Sequence, residues 1–160
     1  MKRLTILVAA GALFAAPAFA QSTDDFVKKA AVSDMFEVES SKLALDKKPD
    51  RDTKPFAQKM VKDHTKTTKE LKGLVESGKV KAQLPTAMDA EHQKKLDDLR
   101  ALDGRDFDVA YDKAQLEGHK DAVALFEGYA KNGDNPDLKK WAGKTLPHLK
   151  QHLKMAEKLK

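Results

Sequence analysis

Apolar residues recur every three to four positions through four long stretches of the chain, and Pro, Gly, Asn and Asp gather in the breaks between them. That period marks amphipathic helices, and no strand-like alternation competes with it. The spacing predicts helix A from Asp24 to Asp46, capped by Thr23 or Asp24 and ended by Lys47-Lys48-Pro49-Asp50. Helix B is predicted from Asp52 to Ser77, where Pro55 is tolerated in the first turn and Gly78 closes the last. Thr86 to Leu102 reads as a shorter amphipathic helix on Met88, His92, Leu96 and Leu99, interrupted by Asp103-Gly104. Helix C follows from Arg105 to Lys131, Asn132 to Pro136 forms a turn, and helix D fills Asp137 to Leu159 with a bend at Pro147. The layout predicts an all-α four-helix bundle with an extra short helix linking the second and third long helices. An up-down-up-down order with a broken third helix is the alternative.

The first residues follow a different pattern. Met1-Lys2-Arg3 precedes an apolar run from Leu4 to Phe14, and Ala18-Phe19-Ala20 stands just before the polar Gln21-Ser22-Thr23-Asp24. A basic start, an apolar middle and an Ala-x-Ala end are the parts of a secretory signal peptide, with cleavage expected after Ala20. The run is shorter than the roughly 20 residues of a spanning helix. Residues 1–20 are therefore read as a signal peptide and 21–160 as a single helical-bundle domain of the bacterial periplasm.

Charge and composition narrow the partners. Loss of Lys2 and Arg3 takes the formal charge from +5 to +3, and the remaining lysines are spread along helix faces. A spread charge on an exported chain disfavours nucleic acid. No later segment is apolar enough to span a bilayer, so the mature protein is expected to be soluble, with an envelope protein as the candidate partner. Cys is absent, which removes disulfides, a lipid attachment site and thiolate metal ligands.

Several polar residues fall inside the apolar stripes when each helix is projected at 100° per residue. His64 lies mid-stripe in helix B with Asp63 at its edge, and Glu37 lies on the face of helix A marked by Phe26, Ala30 and Ala44. Gln115 and His119 share the buried face of helix C, and helix D carries His152 inside its stripe and His148 at the margin. Counting from the turns sets Glu37 level with His64, His119 level with His148, and His152 about a turn beyond. His92 reads as a surface residue of the linking helix.

Buried ionisable groups need each other, water or an ion. Imidazoles and a carboxylate from facing helices suit zinc, copper or iron. The competing reading is a structural polar layer in which Glu37 and Asp63 accept hydrogen bonds from the histidines and fix helix register. The chain has no Glu-x-x-His pair, which disfavours a di-iron carboxylate centre. It also lacks Cys, a Gly-x-Ser-x-Gly elbow and a phosphate loop, so an enzyme is the least supported class.

Phe26-Val27 with Glu37-Val38, Phe56-Ala57 with Met60-Val61-Lys62-Asp63-His64, Phe107-Asp108 with Tyr111 and His119, and Leu146-Pro147 with His152-Leu153 occur in one order along the mature chain. In this the sequence resembles a family of exported, ferritin-like bacterial helical proteins, domain-of-unknown-function family 4142. The resemblance implies a ferritin-like bundle in the envelope, with Glu37, His64, His119 and His152 at the motif positions. It supplies no activity, substrate or cofactor. The leading expectation is thus a periplasmic protein binding a transition metal or small ligand through Glu37, His64, His119 and His152, with Asp63, Gln115 and His148 behind them. The alternative is a non-catalytic envelope interaction or stress-related module whose Glu/His layer is purely structural.

Overall fold

The computed structural model describes residues 21–159, and the signal-peptide expectation for residues 1–20 lies outside them. Five helices form in the order α1 (Thr23–Asp46), α2 (Thr53–Glu76), α3 (Ala90–Arg100), α4 (Gly104–Asn132) and α5 (Pro136–Ala156). Among the described residues there is no strand, only an isolated bridge between Gln21 and Gly133. The long helices associate chiefly as two hairpins, α1 with α2 and α4 with α5; α1 also meets α3 and α4, and α2 meets α5. None of the described helices is long and apolar enough to cross a membrane.

Local chemistry accounts for the helix ends. Asp50 Oδ1 accepts the amides of Asp52 and Thr53 at 2.9 and 2.7 Å, which starts α2. Gly78 takes φ +73° just past α2, and its amide bonds to Val75 O at 3.0 Å, a left-handed closure suited to glycine. Asn135 caps α5 by accepting the Leu138 amide at 3.0 Å, and Pro136 opens that helix.

Three expectations need correction. The α1 cap position is Ser22, with no side-chain cap bond, because the Thr23 hydroxyl is taken by Tyr129 Oη (2.7 Å) and Asp134 across the molecule. The linking helix starts at Ala90, since Asp89 accepts the His92 amide at 2.9 Å and so terminates the extended chain before it. α5 stops at Ala156, short of the expected Leu159, with Pro147 inside it.

Apolar side chains collect into two clusters. One, centred on Phe26, Phe126, Tyr129, Leu138 and Trp141, fills the end near the α4–α5 turn. Phe26 stacks on Tyr129 with centroids 4.1 Å apart. The other, centred on Phe56, Met60, Leu96, Phe107 and Tyr111, fills the end near the α1–α2 turn. Each fully buried large side chain contributes about 1.5–3 kcal/mol. In sequence, His64 lies between Met60 and Leu71, His119 between Tyr111 and Ala122, and His152 between Leu149 and Ala156, so the polar layer separates the two clusters.

Candidate metal centre

Three imidazoles from three helices meet in that layer. Ring centroids of His64, His119 and His152 are 5.4–5.6 Å apart pairwise, and each residue is at most 2% exposed. One ligating nitrogen from each ring lies within 4.8 Å of the others. His119 stands 13 residues from the end of α4 and His152 stands 16 from the start of α5. Side chains lean toward the N-terminus of their own helix, so in this antiparallel pair His152 leans toward the turn and His119 away from it. The lean closes an offset of about 4.5 Å at 1.5 Å per residue.

Each ring is fixed through one nitrogen. His64 Nδ1 donates to Asp34 Oδ1 at 2.7 Å, His119 Nδ1 donates to the Gln115 carbonyl at 2.8 Å, and His152 Nε2 donates to Asp63 Oδ2 at 2.8 Å. A carbonyl can only accept, so His119 carries its proton on Nδ1 and bares Nε2. The opposite nitrogens, His64 Nε2, His119 Nε2 and His152 Nδ1, are buried and have no hydrogen-bond partner. This is the pattern of histidines set to ligate: an acceptor behind each ring holds its tautomer and turns a lone pair inward.

Electrostatics keep two of the rings neutral. Burial lowers the His152 pKa to about 4, against the opposing pull of Asp63. His119 is also lowered, by burial first and by the neighbouring His64, with Glu37 opposing. For His64, burial works downward, but the Asp34 hydrogen bond and the charges of Asp34, Glu37 and Asp63 outweigh it and raise the ring above its ordinary value. Burial raises Asp63, yet hydrogen bonds from Lys59 and His152 prevail and hold its carboxyl low, so it is an ionised acceptor.

The other expected residues divide. Asp63 and Gln115 each hold a ring, Asp63 by its carboxylate and Gln115 by its backbone carbonyl. Glu37 is buried but stands to one side: its Oε1 is 4.0 Å from His119 Nδ1, a nitrogen already given to Gln115, and Oε2 has no partner. His148 is exposed, one turn of α5 before His152 and rotated onto the outer face, so it does not back the rings. His92 is half-buried, bonded to Asp89 and packed edge-on to Phe36 at 5.8 Å, where a surface position was expected.

Sequence reasoning missed Asp34. It is 6% exposed and gathers His64 Nδ1 on one oxygen, with the hydroxyls of Thr67 (2.8 Å) and Thr68 (3.3 Å) on the other. The signal was available: Asp34 precedes Glu37 by three residues on the same helical face. It also lies 12 residues from the end of α1, where His64 lies 11 from the start of α2.

The profile of the family described as Domain of unknown function (DUF4142) matches residues 8–159, so the chain belongs to that family. No curated protein matches the sequence. Among solved structures, the fold is similar to one described as "CopM in the Cu(II)-bound form", with a TM-score of 0.70, 18% identity, and coverage of 87% of this chain and 95% of that one.

Proposed function

We propose that this DUF4142 protein captures a divalent transition-metal ion through His64, His119 and His152, with Cu(II) held most tightly and Zn(II) next. The observation that carries this reading is the trio of inward, buried ring nitrogens without partners, each opposite a nitrogen held by an acceptor. A layer serving only helix register would have no reason to leave three such atoms unsatisfied together in the dry interior. Three imidazoles, two of them held neutral by burial and the third losing its proton as the ion binds, suit copper and zinc, and the usual order of divalent affinities places Cu(II) first. The Cu(II)-bound description of the similar solved structure supports the same choice. Asp34, Asp63 and the Gln115 carbonyl would orient the rings, and the ion would supply cross-linking between α2, α4 and α5.

The finer setting of this proposal is a single ferritin-like four-helix bundle of residues 21–160, with α3 linking the second and third long helices. The α1–α2 and α4–α5 hairpins support it. The Ala18-Phe19-Ala20 end supports export to the periplasm.

The test is metal titration of tag-free protein with Cu(II) and Zn(II), read by equilibrium dialysis and thermal unfolding. Near-stoichiometric uptake is expected, with stabilisation of about 2.7 kcal/mol at a free ion concentration 100 times the dissociation constant. Uptake should be lost in His64→Ala, His119→Ala and His152→Ala. The rival reading, a register-fixing layer in an envelope interaction module, rests on the Asp34–His64 and Asp63–His152 bonds. It predicts that these variants lose stability while the wild-type protein takes up no metal.

A further inference from the structure

A groove of about 920 Å³ opens between α1, α3 and α4, with Val32, Phe36, Leu99 and Ala114 among its walls. Glu37 and Gly118 also line it. Glu37 thus borders two spaces: it lines the groove, and its Oε1 is 4.0 Å from His119 Nδ1. It is 2% exposed, and its Oε2 has no hydrogen-bond partner. Beside it, a Cβ on residue 118 would lie 3.1 Å from Glu37 Oε1, so the glycine leaves the carboxylate room that any side chain would take. The chain as a whole carries 30 basic and 25 acidic residues, yet the groove is lined by seven carboxylates and four lysines. Its local charge therefore favours a cation, against the sign of the molecule.

An approach from the Asp63 side is electrostatically less favourable to a cation. Asp63 is part-exposed on the His152 side, but the Lys59 ammonium is 2.7 Å from its Oδ2, the same oxygen that accepts from His152. A cation arriving there would meet a positive charge and a carboxylate already engaged.

We infer that the α1–α3–α4 groove is the entrance by which a hydrated divalent transition-metal cation reaches the three imidazoles, and that Glu37 is the relay carboxylate at its floor. Glu37 takes the cation from the groove, replacing part of its water shell, and hands it to the rings past His119. The role rests on the metal-capture reading above. It assigns Glu37 to the rate of loading, distinct from the three nitrogens that set final affinity.

The experiment is stopped-flow loading of the full mature chain with Cu(II), monitored by copper–imidazole absorbance, alongside equilibrium dialysis. Glu37→Gln, which preserves shape, and Gly118→Leu, which fills the space before the carboxylate, should each slow loading at least tenfold while final stoichiometry stays that of wild type. Circular dichroism establishes whether Gly118→Leu is folded; should it not fold, Glu37→Gln decides. Wild-type loading rates in Glu37→Gln would overturn the relay. Rates untouched by both variants and raised by Lys59→Ala would move the entrance to the Asp63 side and overturn the groove. A wild-type protein that binds no Cu(II) at equilibrium would remove the capture reading itself, a result separable from slow loading of a competent site.

Discussion

His64 Nδ1 donates to Asp34 Oδ1 across 2.7 Å, a buried bond between residues 30 positions apart that ties α2 to α1 directly behind the ring cluster. Asp34 Oδ2 accepts from Thr67 at 2.8 Å and from Thr68 at 3.3 Å, so one carboxylate fixes both the imidazole and the helix turn that carries it. The bond makes Asp34 the positioning residue of the His64 ring and, under the metal-capture proposal, of the site.

Asp34→Ala strands the His64 N–H, while the Thr67 and Thr68 hydroxyls keep the His64 carbonyl as acceptor at 3.0 and 2.8 Å. The expected cost is about 1–3 kcal/mol of stability from the unsatisfied N–H, with metal affinity reduced about 10- to 100-fold. Asp34→Asn keeps an acceptor oxygen for Nδ1–H but removes the charge, so it should retain most of the stability and still bind metal more weakly. Chelator competition gives the affinities and urea unfolding the stabilities. Wild-type affinity in the Ala variant would show that ring orientation does not depend on this carboxylate.

Asp112 carries a pH dependence of its own. It is 9% exposed with both oxygens lacking hydrogen-bond partners, and its pKa rises to about 6 through burial first, then the charges of Asp50 and Asp108. The folded state thus holds this proton more tightly than the unfolded chain, whose reference value is 3.8. Its stabilising contribution is full below pH 3.8 and is lost as pH rises through about 6. Asp112→Asn should therefore match wild type in acid and exceed it at pH 7.5 by on the order of 1 kcal/mol, water at the edge of the site screening part of the shift. Chelator-treated samples unfolded in urea between pH 4 and 7.5 would show it; a constant difference across that range would contradict the assignment.

The helices and the three imidazoles were legible because both depend on a period. Residues spaced at 3.6 per turn declare which side faces inward, and His64, His119 and His152 fall on that side whatever the tertiary detail. Axial height was less legible. Counting from the turns paired His119 with His148, because it ignored the lean of side chains along antiparallel helices, which brings His152 into the cluster. Caps were least legible: Thr23 is a sound N-cap by type, but Tyr129 and Asp134, more than a hundred residues away, claim its hydroxyl. Asp34 was overlooked because one more acidic residue in a helix that also carries Asp24, Asp25, Glu39 and Asp46 reads as solvated until its partner on another helix is known.

The contrast between His148 and His152 gives a clean control. They are four residues apart on α5, one exposed and the other 2% exposed and bonded to Asp63. His148→Ala should change stability by no more than about 0.5 kcal/mol and leave metal uptake intact. His152→Ala should abolish uptake and leave Asp63 bonded to Lys59 alone. Equal effects of the two substitutions on dialysis would count against the three-ring site.

Phe26 and Tyr129 test whether the aromatic cluster is energetically separate from the imidazole layer. Phe26 is fully buried, stacked on Tyr129 with centroids 4.1 Å apart and edge-on to Phe126 at 5.0 Å, so truncation to Ala should cost about 3–5 kcal/mol. Tyr129→Phe keeps the stack and removes the hydroxyl that meets Thr23 at 2.7 Å and Asp134 at 3.0 Å, for a loss of about 1–2 kcal/mol. The two rings touch, so the double variant should depart from additivity by at least about 0.5 kcal/mol. None of the three variants alters a residue of the imidazole layer, and each should bind metal with wild-type stoichiometry wherever it remains folded. Urea unfolding and dialysis on the same samples separate the two effects; metal lost in Tyr129→Phe while the protein stays folded would mean that the two ends of the molecule are coupled.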